Sequence, residues 1–219
     1  DGVTTDRAER RRLLEVVHEE AERMHGLVDD LLYLSSLESG ELRLTLDAID
    51  IDALIAAGAR RFAFQAEEAG VTIRREAAGG VLRGDGRRLE QVLANLIENA
   101  VRFSPRDAAV LVRSYGEGDD VVVEVSNRGE PIDAQALPQI FDRFYQADPA
   151  RSDGRHVGLG LAIVAELVQA HGGNVQARSS PEAGTMITVR LPRAGPDGPG
   201  AEDGQARKSG ERTHGTVQT

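Results

Sequence analysis

The stretch LEQVLANLIENA, residues 89–100, carries two asparagines four positions apart, Asn95 and Asn99. On an α-helix, positions i and i+4 lie on the same face. Apolar residues with helical spacing predict that the opposite face packs on a core: Leu89, Val92, Leu93, Leu96 and Ile97. Carboxamide oxygens are hard ligands that suit Mg²⁺, which commonly accompanies phosphates. Two surface asparagines would show the same spacing, so the pair alone leaves both interpretations open.

The composition excludes several classes of protein. The 219 residues are 40% apolar, enough for a core, and contain no cysteine for disulfides or thiolate metal sites. We see no signal peptide and no apolar run near the roughly 18 residues of a membrane span. The net charge of −10 disfavours nucleic acid as the main partner. The only lysine is Lys208, so neither a Walker A loop nor the strand lysine of Ser/Thr/Tyr kinases can form. An ATP site must therefore use arginine, backbone amides and a metal ion.

Residues 5–37 predict one long helix with a heptad seam. The seam is interrupted only by Glu20, and its apolar members are Leu13, Val17, Met24, Leu27, Leu31 and Leu34. A seam this wide predicts half of a helical hairpin or bundle, which Gly40 ends. At the other end of the sequence, residues 194–219 are rich in glycine, proline and charge and predict a disordered tail.

Residues 40–193 mix short strands and helices without strict alternation. This pattern predicts an α+β fold, a two-layer sandwich in which helices cover one face of a mixed sheet. Strands are predicted at 42–46, 71–75, 81–83, 110–115, 121–126, 174–179 and 185–191. Helices are predicted at 52–70, 134–140 and 158–171, besides the helix that carries the asparagines, whose predicted N-cap is Asp85.

Five segments, taken in order, resemble the catalytic core of the sensor histidine kinases of bacterial two-component systems. The segments that resemble the family's N, G1, F and G2 boxes are NLIENAVRFSP at 95–105, SNRGEPI at 126–132, FDRFY at 141–145 and GLGLAIV at 158–164. Gly184 and Thr185 resemble its last glycine element, and DDLLYLSSLESG at 29–40 resembles the end of the second helix of its dimerisation hairpin. The G1 and F segments are most similar to the heavy-metal-sensor branch.

The resemblance implies a Bergerat-type ATP-binding fold at 40–193, preceded at 1–39 by the second helix of the dimerisation and phosphoacceptor hairpin. It implies ATP and Mg²⁺ as cofactors and transfer of the γ-phosphoryl group to a histidine, then to an aspartate of a response regulator. His18 lacks the proline and the hairpin position of the acceptor motif, so we expect no acceptor in this chain and no autophosphorylation. The implied partners are a second copy, through the hairpin, and a receiver domain. The implied location is the cytoplasmic part of a membrane-anchored parent protein.

The resemblance also implies roles for individual residues. Asn99 would bind Mg²⁺. Asn95 would face the same phosphates, and because an amide is no general base we expect slow ATP hydrolysis. Arg102 would contact phosphate, with a plain surface arginine as the alternative. Asn127 replaces an aspartate that accepts a hydrogen bond from the adenine amino group, which predicts a weaker or less selective adenine contact. The full implied nucleotide site is Asn95, Asn99, Arg102, Phe103, Asn127, Gly129, Ile132, Phe144, Arg155, Gly158, Leu159, Gly160, Leu161 and Thr185.

The loop at 142–157 resembles the family's ATP lid. Arg151, Arg155 and His156 could close on phosphate, although solvated loop side chains would look the same. Phe141, Phe144 and Tyr145 would seat the lid as an aromatic anchor, or belong to the core. Of the remaining histidines, His171 before two glycines predicts a helix C-cap.

Two other functions fit the same sequence. Asn127 and Pro131 depart from the family pattern and would suit a nucleotide-binding regulatory module with little transfer activity. An anti-sigma-type serine kinase shares the ATP-binding fold, but the heptad helix and the F segment argue against it.

Overall fold

The computed structural model describes residues 43–146 and 157–196, together with six helical positions nearer the N-terminus. Four of those six are apolar and exposed, Leu13 at 52%, Leu14 at 69%, Val17 at 63% and Met24 at 58%. The rest of the predicted heptad helix, the lid residues 147–156 and the tail beyond residue 196 lie outside the described residues. Among the described helices, none has the length and apolar character that would let it cross a membrane.

Seven strands and four α-helices make up the described domain. The strands are β1 Asp47–Asp50, β2 Thr72–Ala78, β3 Val81–Gly84, β4 Ala109–Glu117, β5 Asp120–Asn127, β6 Asn174–Ser180 and β7 Gly184–Pro192. The helices are α1 Ile51–Arg61, α2 Ala63–Ala69, α3 Gly86–Arg102 and α4 Gly160–Ala170, with a 3₁₀ turn at Leu137–Gln139.

Five strands form a mixed sheet in the order β2-β4-β5-β7-β6. Only β2 and β4 run parallel, and the other three pairs are antiparallel. Strands β1 and β3 form a separate antiparallel pair. The helices pack on one face of the sheet, where alternate residues of β5, Val121, Val123 and Val125, enter the core. The opposite face carries polar pairs such as Arg113 with Glu124, 2.6 Å apart. The predicted two-layer α+β sandwich is confirmed.

Three predicted elements need correction. The strand predicted at 42–46 is wrong over its described part: residues 43–46 form no strand, and β1 begins at Asp47. The reason is that the Thr45 amide donates to the Asp85 carboxylate, at 3.0 Å, rather than to a neighbouring strand. The helix predicted at 52–70 divides into α1 and α2 at Phe62, and the helix predicted at 134–140 shortens to the 3₁₀ turn.

The start of α3 is held by a buried junction between distant parts of the chain. Asp85 is the N-cap, as predicted, and its carboxylate accepts from the Arg88 amide at 3.1 Å. The amide of Asp85 itself donates to Nε2 of His171, at 3.0 Å. His171 is the predicted C-cap of α4, is 2% exposed, and has its Nδ1 2.8 Å from the Leu167 carbonyl oxygen. One neutral imidazole therefore joins the C-terminal end of α4 to the N-terminal end of α3.

This junction predicts a pH-dependent stability. Burial lowers the pKa of His171, against the opposing effects of the Leu167 carbonyl and the Asp85 carboxylate. As the pH falls below the unfolded pKa of about 6.5, the unfolded chain binds a proton that folded His171 does not. The free energy of unfolding should therefore fall by up to about 1.4 kcal/mol per pH unit from this group, until its folded pKa is reached.

Urea unfolding of the wild-type chain and of His171→Gln from pH 8 to pH 5.5 measures this contribution. Glutamine cannot titrate, so carboxylates that titrate in both proteins cancel in the difference between them. The stability advantage of wild type should shrink below about pH 6.5. A difference that stays constant over the whole range would contradict the prediction.

Candidate functional site

Helices α3 and α4, which carry the predicted phosphate-binding segments, contact each other through one side chain. The Asn95 carboxamide, on α3, donates from Nδ2 to the backbone carbonyl of Gly160, the first residue of α4, at 3.1 Å. A Cβ on Gly160 would lie 3.7 Å from the Asn95 Cγ, which is ordinary van der Waals contact. Among the described residues, no side chain caps the N-terminus of α4, whose N-cap residue is Leu159. The first amides of a helix and the positive end of its dipole favour anions, and Asn95 lies beside this helix end.

The C-terminal half of α3 provides the other predicted phosphate-side groups. Asn99 lies one turn after Asn95, is half-buried, and makes no side-chain hydrogen bond to a described residue. The Arg102 guanidinium lies 4.9 Å from the centroid of the Phe103 ring, which is 54% exposed. Among the described residues, no three His, Asp or Glu side chains form a cluster that could hold a metal ion. The Asn99 carboxamide oxygen is a chemically suitable ligand for Mg²⁺, together with phosphate and water oxygens.

Asn127 lies at the end of β5 and joins this strand to the end of α3. The residue is 7% exposed, and its Nδ2 donates to the backbone carbonyl of Phe103 at 3.3 Å. Gly129 makes that approach possible, because a Cβ there would lie 1.9 Å from the same carbonyl oxygen. Gly184, with a φ of +76°, passes the Asn127 backbone so closely that a Cβ would lie 2.1 Å from its carbonyl oxygen. Both glycines are therefore required by close backbone approach.

Thr185 is the register partner of Asn127 on β7 and is 8% exposed. Its hydroxyl is 2.8 Å from the hydroxyl of Ser179, which also accepts a hydrogen bond from the Ile132 amide at 2.9 Å. Ser179 thus connects β6, β7 and the G1 segment. The sequence reasoning missed it. The signal was present, because Val175 and Ala177 face the core and alternation places the next polar residue, Ser179, on the same face.

The base of the lid segment is closed by backbone contacts. The Phe144 amide donates to the Gly158 carbonyl at 3.0 Å, and Phe144 itself has a φ of +63°. Gly158 has a φ of +78°, and a Cβ there would lie 2.5 Å from the Tyr145 carbonyl oxygen. Arg143 pairs with Glu166 of α4 at 3.5 Å. The F and G2 segments are thus joined by main-chain contacts.

The three aromatic residues that were predicted to anchor the lid differ in burial. Phe141 is partly buried against the core, Tyr145 is half-buried, and Phe144 is 58% exposed. Leu159 is 4% exposed and belongs to the core, so only its backbone is available to a ligand. Leu161 packs against the same core. Three lid residues of the sequence analysis, Arg151, Arg155 and His156, lie outside the described residues.

The mixed five-stranded sheet with helices on one face is the fold of a family of ATPase domains. A model of the family described as histidine kinase-, DNA gyrase B-, and HSP90-like ATPase matches residues 84–195. The chain belongs to this family.

Curated relatives are named as sensor kinases. The signal transduction histidine-protein kinase AfsQ2 of Streptomyces coelicolor is 36% identical over 191 residues, which are 86% of this chain and 34% of that protein. The sensor-like histidine kinase SenX3 of Mycobacterium tuberculosis is 33% identical over 184 residues, 83% of this chain and 45% of the relative. The sensor protein KdpD of Clostridium acetobutylicum is 29% identical, with 88% of this chain and 22% of the relative covered. The chain thus spans less than half the length of these relatives.

Two solved structures share the fold. The full-length ShkA structure, in complex with AMPPNP, superposes with a TM-score of 0.76 and 28% identity, over 89% of this chain and 40% of that one. The Acinetobacter baumannii histidine kinase AdeS superposes with a TM-score of 0.72 over 87% of both chains. At 24% identity the AdeS match supports the fold alone.

Proposed function

We propose that residues 40–193 bind Mg²⁺-ATP and transfer its γ-phosphoryl group to a histidine on a dimerisation hairpin, for relay to a response-regulator aspartate. The observation that carries the proposal is the hydrogen bond from Asn95 to Gly160. This bond holds the paired-amide face of α3 against the uncapped N-terminus of α4. Within a longer protein, this unit would be the cytoplasmic catalytic part of a membrane-anchored sensor.

In this proposal, one group of residues binds the phosphates of the nucleotide and another group binds its base. Asn99, Arg102 and the first amides of α4 would hold the phosphates, since amide dipoles and guanidinium groups bind phosphate oxygens. Asn127 and Thr185, 7% and 8% exposed, would contact the base. A magnesium ion bound through Asn99 would neutralise charge on the phosphates. Gly158 and Gly160 would allow the main chain to approach them.

Positioning, rather than an acid or base, would drive the transfer. A nitrogen of the acceptor histidine forms a bond to the γ-phosphorus while the bond to the leaving oxygen of ADP breaks. Asn95 donates to Gly160 through its amide and has no basic group with which to activate water. Hydrolysis should therefore stay slow, and the phosphoryl group should be kept for the histidine. ATP turnover as fast as that of a dedicated ATPase would contradict this assignment.

Transfer to a separately supplied hairpin tests the function. The chain is mixed with γ-labelled ATP, Mg²⁺ and the dimerisation hairpin of a sensor-kinase relative, and the label on the hairpin is measured. Label that is lost in acid and stable in alkali is expected, and replacing the acceptor histidine of that hairpin by glutamine should abolish it. Tight Mg²⁺-ATP binding without label would instead support the regulatory-module alternative. Acid-stable phosphoserine would support a serine kinase.

The exposed apolar residues near the N-terminus lead us to expect that the chain self-associates. Leu13 and Val17 are exposed and four positions apart, on one helix face with the other apolar positions of the predicted seam. An exposed apolar stripe of this kind favours pairing with another copy. Light scattering should give a mass above 23.5 kDa for wild type. The double variant Leu13→Lys/Val17→Lys should shift the mass towards the monomer. A monomeric wild type at tens of micromolar would rule out this role for residues 1–39.

A further inference from the structure

A row of polar side chains crosses the end of the sheet on the face that the helices cover. Strand register places Asn127 of β5 opposite Thr185 of β7, and Thr185 opposite Ser179 of β6. The neighbouring row on the same face is apolar and consists of Val125, Ile187 and Ala177. The change from apolar to polar marks the point where the core ends and the candidate site begins.

Ser179 also anchors the segment that follows β5. The chain leaves β5 at Asn127, and the amide of Ile132 donates to the Ser179 hydroxyl at 2.9 Å. On the way the segment passes the start of β7, since a Cβ on Gly184 would lie 2.8 Å from the Arg128 Cα. β7 lies between β5 and β6, and neighbouring strands are about 4.8 Å apart, so the anchor is roughly 10 Å from the strand that the chain has left. The G1 segment is therefore held to the sheet on both sides of β7.

The same anchor orients two hydroxyl groups. A main-chain amide can only donate, so the Ser179 oxygen must accept from Ile132. An oxygen that accepts one hydrogen bond becomes a better donor of its own proton. The Thr185 oxygen, 2.8 Å away, is placed to receive that proton. The Thr185 proton is then left for a ligand, and because Thr185 is 8% exposed, its direction is fixed before a ligand arrives.

We propose that Ser179 is a positioning residue for the nucleotide, because its one hydroxyl holds the G1 segment on the edge strand and directs the Thr185 proton towards the base. This inference rests on the proposed ATP site, where Thr185 and Asn127 contact the base. Ser179 itself touches no part of the nucleotide. It orders the groups around the base in advance, so that binding does not have to order them. The phosphate end of the site, with Asn99, Arg102 and the first amides of α4, does not depend on Ser179.

Titration with parts of the nucleotide separates the base end of the site from the phosphate end. Mg²⁺-ATP, adenosine and Mg²⁺-tripolyphosphate are titrated against wild type and Ser179→Ala, with displacement of a fluorescent ATP analogue as the readout. Ser179→Ala should weaken ATP and adenosine binding by the same factor, at least about fivefold, the value of about one hydrogen bond. Its tripolyphosphate affinity should stay within about twofold of wild type. Asn99→Ala should show the opposite pattern, with weakened tripolyphosphate binding and unchanged adenosine binding.

Two control variants distinguish positioning from a general loss of stability. Ser179→Thr keeps the hydroxyl and suits a strand, so it should bind ATP like wild type. Ser114→Ala removes a hydroxyl that is 1% exposed, donates to Asp52 at 2.7 Å and accepts from the Gly79 amide at 3.2 Å, with no contact to the candidate site among the described residues. Ser114→Ala should lose stability in urea and keep its ATP affinity.

Several results would overturn this role of Ser179. One is wild-type ATP affinity in folded Ser179→Ala, and another is an equal loss of adenosine and tripolyphosphate binding. A third is an ATP affinity that Ser114→Ala lowers as much as Ser179→Ala does. If the alanine variant does not fold, Ser179→Cys serves in its place, because a thiol keeps the size of the side chain and is a weak donor and acceptor. No binding of ATP by wild type would instead overturn the proposed function.

Discussion

Substitution of Asn99 by alanine is expected to remove the magnesium-dependent part of ATP binding. The Asn99 side chain makes no hydrogen bond to a described residue, so its removal leaves no unpaired partner among the described residues and the domain should stay folded. What is lost is an amide oxygen of the kind that Mg²⁺ prefers. Because even residues that only support metal ligands change metal affinity 10–100-fold, loss of the ligand itself should weaken Mg²⁺-ATP binding by at least about tenfold.

A fluorescent ATP analogue, titrated with Mg²⁺ and with EDTA, separates metal-dependent from metal-independent binding. In wild type the two affinities should differ, and in Asn99→Ala they should become nearly equal. Asn174→Ala is a matched control, since Asn174 is an exposed asparagine at the start of β6. Asn99→Asp keeps an oxygen ligand and should keep the magnesium effect. If Asn99→Ala and Asn174→Ala retain the same response to Mg²⁺, Asn99 is not the metal ligand.

A second large effect is expected from a single methyl group at Gly129. The added Cβ would lie 1.9 Å from the Phe103 carbonyl oxygen and 2.8 Å from Nδ2 of Asn127. The nearest group is backbone, so no rotamer change relieves the overlap. Either the G1 segment or the end of α3 must move, and both movements break the contact between Asn127 and Phe103. Overpacking against rigid groups costs up to about 3 kcal/mol, and we expect Gly129→Ala to lose stability near that value and to lose ATP binding.

Urea unfolding and ATP titration compare the stability and the ATP affinity of Gly129→Ala with those of a control variant, Gly58→Ala. Gly58 is a buried glycine inside α1, where a Cβ would meet only the end of the Ile97 side chain, at 3.1 Å. Alanine also favours a helix interior by roughly 1 kcal/mol over glycine. Gly58→Ala should therefore remain folded and bind ATP like wild type. Normal ATP binding by Gly129→Ala would mean that the close approach at Phe103 has no part in the site.

Of the predicted elements, the helix that carries the asparagines agrees best with the structure. Its apolar spacing, its N-cap at Asp85 and the strands that follow are all present, because these features depend on side chains close in sequence. The strand predicted at 42–46 failed for the opposite reason. The alternating leucines predicted a strand, but the pairing belongs to Asp47–Asp50, which has β3 as its partner. In this pair of strands Ala48 lies opposite Arg83, 35 positions away in sequence.

The candidate site also contains residues that could be predicted from the sequence and groups that could not. Asn95, Asn99, Asn127, Gly129 and Gly158 could be selected from the sequence because their side-chain types, or the lack of a side chain, suit phosphate, metal or close backbone approach. The carbonyl of Phe103 could not, since a main-chain oxygen has no signature in the sequence, and strand alternation gave Ser179 a position on the core face but no role. Their importance follows from their neighbours, Thr185 and Asn127.

The sequence by itself determined the class of fold, the order of the motifs and the chemical groups available to a nucleotide, because periodicity, caps and residue types are local properties. Only the tertiary structure decided which of those groups meet. Asn95 and Gly160 are 65 positions apart, and Asp85 and His171 are 86 apart. Such contacts form when helices pack on a sheet, and the orientation of Asn127 likewise depends on a backbone carbonyl that packing brings to it.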